Sequence, residues 1–526
     1  MFNGRSRTKN TIINAVTGMG TQLLVTALQF TTRTVFIRTL GRSYLGINGL
    51  FSNILTVLSL TELGLDTAIN FKLYKPLAEG NVPRVRVLMK FYRQAYIIIG
   101  LAVTGLGLAV VPFLSILIKD YDSVTALGIN PVLIFLLFLA QSSFSYLFFA
   151  SKSAILKADQ KMYIANRVHL GVTFIITIVQ IITLVLYKNF VFYTILGVLS
   201  AIITNYITSR IAVKYYPNVF TKTNEQLSGS EVKSIYKDLG ALFVFKVNSV
   251  VVKATDNIVL SAFIGVGIVG LYSNYSLFYS SIIVFLNKIY SAVDAGIGNL
   301  FATENVEKHY RFFQIMNYLT VIIFGTASVG LAVCADELIS IWAGNDYVIP
   351  NYFALLIGVE ILFHGLKTNL TQIRNASGVF RQMWYRPLIG IIINIIVSVG
   401  LVQKMGIHGV IIGTIVSDLF SNILFDPLIV YKYSFNGIRS VSEYFVKNLV
   451  YLTVIAVVFI IDKRLCNFFS FNNGWISVIA HIVICGLSVP LVFCTVFYRT
   501  HENKYLIRIM KSTIMLFKRG GSDKLN

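Results

Sequence analysis

Acidic residues are scarce in this sequence: 23 Asp and Glu stand against 45 Lys and Arg in 526 residues, a formal net charge of +22. Charged residues of both signs reach only 13%, about half of what a soluble domain carries. At that level there is no polar face to give to water, which excludes a soluble globular protein. Cysteine is also scarce. Cys334, Cys466, Cys485 and Cys494 form no close pair and no metal-ligand spacing, so neither a disulfide framework nor a zinc site is expected. The six histidines contain no H-x-x-x-H pair. Phosphate-binding G-x-x-x-x-G-K-[ST] and Gly-rich dinucleotide fingerprints are missing, and no loop is long enough for a soluble nucleotide-binding domain. The expectation is a non-enzyme without a cofactor or resident metal.

What the chain has is apolar length: 56% hydrophobic residues and a mean hydropathy of +0.72. A helix needs about 20 mainly apolar residues to cross a bilayer. By that measure the sequence predicts an all-α polytopic membrane protein with about fourteen spans, near 11–38, 44–71, 92–118, 130–151, 164–187, 190–213, 239–264, 268–298, 312–334, 351–373, 384–404, 408–431, 446–462 and 475–498. The first apolar stretch follows a basic start but lacks a small-residue cleavage site, and reads as a span rather than a removed leader.

Basic residues test this layout. With both termini inside, 34 Lys and Arg fall in cytoplasmic segments, 7 in outside loops and 4 within spans. That bias supports an even number of spans and two cytoplasmic termini. It also accounts for the net charge: the partners are membrane lipids, not nucleic acid.

The polar stretch 214–238 reads as a cytoplasmic linker between two halves. The expected organisation is an N-terminal six-helix bundle over 1–213, a second six-helix bundle over 239–431, two additional transmembrane helices over 432–498 and a basic tail over 499–526. In that tail Leu506, Ile509, Met510, Thr513, Ile514 and Phe517 share a helical face, the pattern of a helix lying on the inner leaflet. Sliding the chain by 224 residues places Leu40-Gly41 and Gly46-Ile47 on Ile264-Gly265 and Gly270-Leu271, pairing the first hairpin of each half.

Ionisable residues inside spans are costly and face protein or a wet cavity. Thr11, Gln22, Thr26, Gln29 and Arg33 form a polar stripe on the first span; Arg33 either lines a cavity or snorkels to the outer surface. Glu62 and Asp66 stand one turn apart. Such like charges raise one carboxylate pKa in a low-dielectric site, or else sit solvated near Lys72 and Lys75. Lys246 and Lys253 share a face of the seventh span, with Asp256 and Asn257 beyond. They form either a cationic wall for an anionic ligand or, for Lys253 with Asp256, a buried pair. The eighth span adds Lys288 and Asp294, and the tenth adds Glu360 and His364. The twelfth adds Asp418 and Asp426-Pro427, the latter near the cytoplasmic end. Candidate anion-binding residues are therefore Arg33, Lys246, Lys253 and Lys288, with Gln29; candidate ion-coupling residues are Glu62, Asp66, Asp256, Asp294 and Glu360.

The run from Arg33 to Ile54 (RTVFIRTLGRSYLGINGLFSNI), followed by Leu58–Leu65 (LSLTELGL) and Leu73–Ala78 (LYKPLA), resembles bacterial Wzx-type flippases of polysaccharide and O-antigen repeat units. These belong to the multidrug/oligosaccharidyl-lipid/polysaccharide exporter superfamily. The resemblance implies a V-shaped transporter with a central cavity in the bacterial cytoplasmic (inner) membrane. It implies undecaprenyl-pyrophosphate-linked oligosaccharide as cargo, alternating access coupled to a proton or sodium gradient, and a possible polysaccharide polymerase as partner. A multidrug exporter and a lipid II flippase are the alternatives.

Overall fold

The computed structural model describes residues 7–508 except 60–64, 222, 292–296, 298–299, 302, 380–384 and 438; side chains are not described for 7–16, 65–71, 150, 234, 236–250, 253 and 291. The described residues are predominantly helical and contain no strand. The long helices are α1 (Arg7–Thr39), α2 (Arg42–Leu58), α3 (Leu65–Ala78), α4 (Val82–Val110), α5 (Pro131–Phe144), α6 (Ala150–Ala158), α7 (Met162–Tyr187), α8 (Phe190–Tyr215), α9 (Gly229–Phe263) and α10 (Val266–Ser291). They continue as α11 (Val306–Ala343), α12 (Phe353–Ser377), α13 (Arg386–Met405), α14 (Ile407–Asp418), α15 (Phe425–Tyr433), α16 (Val441–Phe468) and α17 (Gly474–Val496).

Among the described residues, 11 helical segments are long and apolar enough to cross a membrane. The three other expected spans coincide with α1, with the α2–α3 pair and with α9. α1 and α9 are long helices, each with a stretch whose side chains lie outside the described set. The second expected span, 44–71, takes in α2 and the first residues of α3; residues 60–64 between them lie outside the described residues. A single π turn at Ser145–Phe149 joins α5 to α6, and another at Leu419–Ile423 joins α14 to α15. Apolar side chains cover the outside. On α17, Ile479, Val483, Leu487 and Leu491 recur every four residues and are all exposed, a stripe that only hydrocarbon can cover. The chain is a multi-pass membrane protein.

Capping residues place the helix starts. Asn81, Asn130 and Asn189 accept from the backbone N–H three residues on, at the heads of α4, α5 and α8. Ser228 and Glu231 form a reciprocal capping box at the head of α9. The Arg84 guanidinium also bonds Glu231, clasping the linker end to α4. That contact and the Ser228 N–H and hydroxyl hold the Glu231 carboxyl below its ordinary pKa. The tail helix is described through Arg508: Asn503 Nδ2 donates to the Cys494 carbonyl at 3.0 Å. The expected amphipathic face from Ile509 on lies outside the described residues.

The Cα packing divides the chain into two compact units, Met1–Ser273 with Val402–Val410, and Asn274–Leu401 with Ile411–Asn526. In the first, α1 packs on α7, α7 on α8 and α9 on α2. In the second, α11 packs against α12, α16 and α17, and Tyr318, Tyr451, Phe493 and Phe497 form an aromatic cluster between α11, α16 and the end of α17.

The first unit gives the 224-residue offset a physical meaning. Gly46 of α2 and Gly270 of α10 meet backbone to backbone. A Cβ on Gly46 would collide with the Val266 carbonyl, and one on Gly270 with the Arg42 carbonyl. Residues 42 and 266 are related by the same offset as 46 and 270, so the crossing is reciprocal. The residues opening the two helices match as well: Gly41 and Gly265 have φ of 88° and 130°, a region costly to side chains with a Cβ. Close crossings of small residues are how membrane helices gain packing where no hydrophobic force drives association. Around this crossing, Lys119 Nζ donates to the Phe263 carbonyl at 2.8 Å and Ser261 Oγ to the Leu117 carbonyl at 2.6 Å. We expect Gly46→Ala to lower the stability of the purified protein by about 1–3 kcal/mol through overpacking. Gly49→Ala, whose Cβ would meet the Val269 side chain at an ordinary 3.6 Å, should leave the melting temperature in detergent nearly unchanged.

Candidate functional site

Side chains are described for Gln29, Arg33, Asp256, Lys288 and Glu360 among the candidates drawn from the sequence. Arg33 is half-buried, and its Nη2 donates to the Ser273 hydroxyl. That hydroxyl in turn donates to the Gly270 carbonyl at 2.6 Å. Arg33 therefore ties α1 to α10 beside the glycine crossing. Gln29, one turn away, is exposed. On the same stripe Gln22 Nε2 donates to Thr26 Oγ1 at 3.3 Å. On α9, Asp256 and Asn257 are buried, at 2% and 8% exposure, and Asn257 Oδ1 has no hydrogen-bond partner among the described residues. Lys246 and Lys253 belong to the same continuous helix, but their side chains lie outside the described set, as do those of Glu62, Asp66 and Asp294.

In the second unit Glu360 is buried on α12. His364, one turn on, stands edge-on to the Tyr279 ring at 6.5 Å. Lys288 is exposed in the last turn of α10.

The first unit also holds a cavity of about 540 Å³ that sequence reasoning missed, a size suited to a small ligand. Amides from three helices converge on it: Gln141 of α5, Asn166 of α7 and Asn205 of α8. Hydroxyls of Ser142, Ser145 and Thr208 join them, and the Tyr96 and Tyr146 rings add flat walls. The π turn puts Ser145 into this wall, where it accepts from Asn205 Nδ2 at 2.6 Å; π turns recur at functional positions. The Thr204 hydroxyl, buried in the same wall, has no partner among the described residues. Lys157 and His169 are the ionisable lining residues, and no carboxylate is among them. Such a lining offers many neutral donors and acceptors beside ring faces, which suits a polyhydroxylated ligand better than a cationic one. Its elements were visible as Gln, Ser and Asn within apolar spans, but spacing along separate helices does not reveal that they converge.

A second feature missed in the sequence is a buried ion cluster in the second unit. Arg386 Nη1 donates to Asp426 Oδ1, and Arg374 Nη1 lies 3.6 Å from Asp426 Oδ2; the three residues are no more than 6% exposed. Nearby in sequence, Lys367 Nζ reaches Asp418 Oδ1 at 3.1 Å. Both arginines counted as loop charges in the topology argument, while Asp426 counted as a span residue. The pairing joins the end of α12 and the head of α13 to α15.

The chain matches no protein-family model, and no curated protein matches it in sequence. Its fold matches solved structures. The lipid II flippase MurJ in an inward closed conformation aligns with a TM-score of 0.63 at 15% identity, over 93% of this chain and 99% of that one. An inward-facing multidrug resistance transporter of the MATE family, in the MOP superfamily, aligns with a TM-score of 0.61 at 13% identity, over 81% of this chain and 100% of that one. A MATE in complex with MaD3S gives 0.52 at 14% identity, over 81% and 96%. The chain thus has the all-helical transporter fold shared by MATE and MurJ.

Removing Asp426 as Asp426→Ala takes away the carboxylate that two buried guanidiniums share. It should destabilise the protein by about 3–5 kcal/mol. Lys308→Ala, which breaks an exposed pair with Glu304, should change stability by less than about 1 kcal/mol. Thermal unfolding of the purified variants separates the two.

Proposed function

We propose that the chain is a flippase that moves polyprenyl-diphosphate-linked oligosaccharide repeat units from the inner to the outer leaflet of a bacterial cytoplasmic membrane, for surface polysaccharide synthesis. The observation that carries this reading is the hydroxyl- and amide-lined cavity of about 540 Å³ in the first unit, which holds Lys157 and His169 but no carboxylate. A glycan has no charge to offer and many hydroxyls to satisfy, and this lining matches that chemistry. A drug exporter for cations would be served by acids, and none line this cavity.

The physical task supports the same reading. A diphosphate and its sugars cannot cross about 30 Å of hydrocarbon unaided. They need a wet path with fixed cations, while the polyprenyl tail stays in lipid. Arg33 lies half-buried beside the α2–α10 crossing, and Lys246 and Lys253 lie along α9; these, with Lys288, are the groups we assign to the diphosphate. Asp256 and Glu360, both buried, with Glu62, Asp66 and Asp294, are the groups we assign to proton or sodium coupling. In this reading the carrier works by alternating access and keeps both termini in the cytoplasm. A second reading, lipid II flipping, draws on the alignment with MurJ over 93% of the chain; it changes the glycan and leaves the diphosphate-lipid chemistry in place.

In a strain lacking the gene, complete lipid-linked repeat units should accumulate on the cytoplasmic face of the membrane while surface polysaccharide is lost. The wild-type gene should restore both. Lys253→Ala should reach the membrane in normal amount yet restore less than about a tenth of the polysaccharide, the loss of a charge-assisted contact. Normal surface glycan in the deletion strain, with altered drug efflux, would overturn the proposal.

A further inference from the structure

A second cavity, of about 500 Å³, opens in the first unit between α4, α6 and the segment that follows α8. Its lining contains four cations and no carboxylate: Arg86, Lys90 and Arg93 on α4, and Lys152 on α6. Three of them recur at intervals of four and three residues, on one face of α4. Two are committed to the chain above them. Arg86 donates to the Asn218 carbonyl from Nε at 3.1 Å and from Nη2 at 2.8 Å. Lys90 Nζ donates to the Thr223 carbonyl at 3.0 Å and to the Glu225 carbonyl at 3.3 Å. Carbonyls satisfy donors but leave the positive charges uncompensated. Arg93 is exposed and Lys152 half-buried, and neither forms an ion pair with a carboxylate among the described residues. Four like charges around one cavity repel, and a multivalent anion would relieve that repulsion.

Charge bias assigns this end of α4 to the cytoplasmic side, at the level of lipid headgroups. Basic pockets between helices at that depth receive phosphorylated headgroups, and guanidinium and ammonium groups are the side chains that bind phosphate oxygens. We infer that this cavity is a phosphate-headgroup site of the cytoplasmic leaflet, built to take a diphosphate. It rests on the flippase reading in one respect: the diphosphate in question is then the head of the cargo. α6 borders this cavity through Ser151 and Lys152 and the amide-lined cavity through Ser153 and Lys157. A headgroup held here would bring its glycan to the neighbouring polar wall before any transfer across the membrane. Free phosphate, an anionic phospholipid and the polyprenyl diphosphate share the chemistry.

The test uses the full chain in phosphatidylcholine nanodiscs and measures binding without transport, so a failure to move glycan in cells leaves it readable. Three probes are titrated: inorganic pyrophosphate, undecaprenyl diphosphate and phosphatidylglycerol. The variant is Arg93→Gln with Lys152→Gln, which leaves the Arg86 and Lys90 contacts to the overlying segment intact. Lys308→Gln with Arg311→Gln removes the same charge elsewhere on the cytoplasmic side. Pyrophosphate and undecaprenyl diphosphate should bind the wild type and the Lys308/Arg311 variant alike, and the Arg93/Lys152 variant at least about tenfold more weakly, the loss of charge-assisted contacts. A parallel loss for phosphatidylglycerol would make the bulk phospholipid an occupant too; a loss confined to the diphosphates would make the cargo head the specific one. Equal affinity of wild type and the Arg93/Lys152 variant for every probe, or no binding of any probe to the wild type, would overturn the site.

Discussion

Hydrocarbon offers no hydrogen bonds, and the whole structure follows from where polar groups go when water is withheld. Backbone polarity is absorbed by helices, so the described chain is mostly helix. Side-chain polarity is turned inward. Arg33 finds Ser273, Arg374 and Arg386 share Asp426, and amides and hydroxyls gather around an interior cavity. Association between helices then has to come from fit rather than from hydrophobic force. The reciprocal Gly46–Gly270 crossing is the sharpest instance, because only the missing Cβ atoms let the two backbones touch.

Much of this was legible in the sequence. Apolar length and basic-residue bias locate the helical segments, since bilayer thickness and charge retention act on local runs of residues. The 224-residue offset was visible as a few matched glycines, and the structure explains them as a contact that both partners must accommodate. Least legible were features made by convergence. Gln141, Asn166 and Asn205 come from three helices, and Arg374, Arg386 and Asp426 from three others. Each residue is unremarkable in its own window, and only packing makes them a group.

The candidate residues divide along the same line. Arg33, Asp256 and Glu360 were singled out as polar groups at membrane depth, and all three are at least half-buried. Lys288 was singled out on the same ground, but it is exposed. The basic residues at the head of α4 were read as topology signals. The same charge lines a cavity.

The central claim is that an amide- and hydroxyl-lined cavity in a basic, membrane-embedded chain handles a lipid-borne glycan. The most direct measurement reconstitutes the purified protein into liposomes containing a polyprenyl-diphosphate oligosaccharide with a fluorescent sugar. It then follows how much of the label an impermeant quencher can reach under an imposed ion gradient. The account predicts accessibility that changes with the gradient in wild-type vesicles, and a much slower change with Asn205→Leu, which fills the cavity wall and removes its amide. Transfer at the same rate in both, or none in the wild type under either a proton or a sodium gradient, would contradict it.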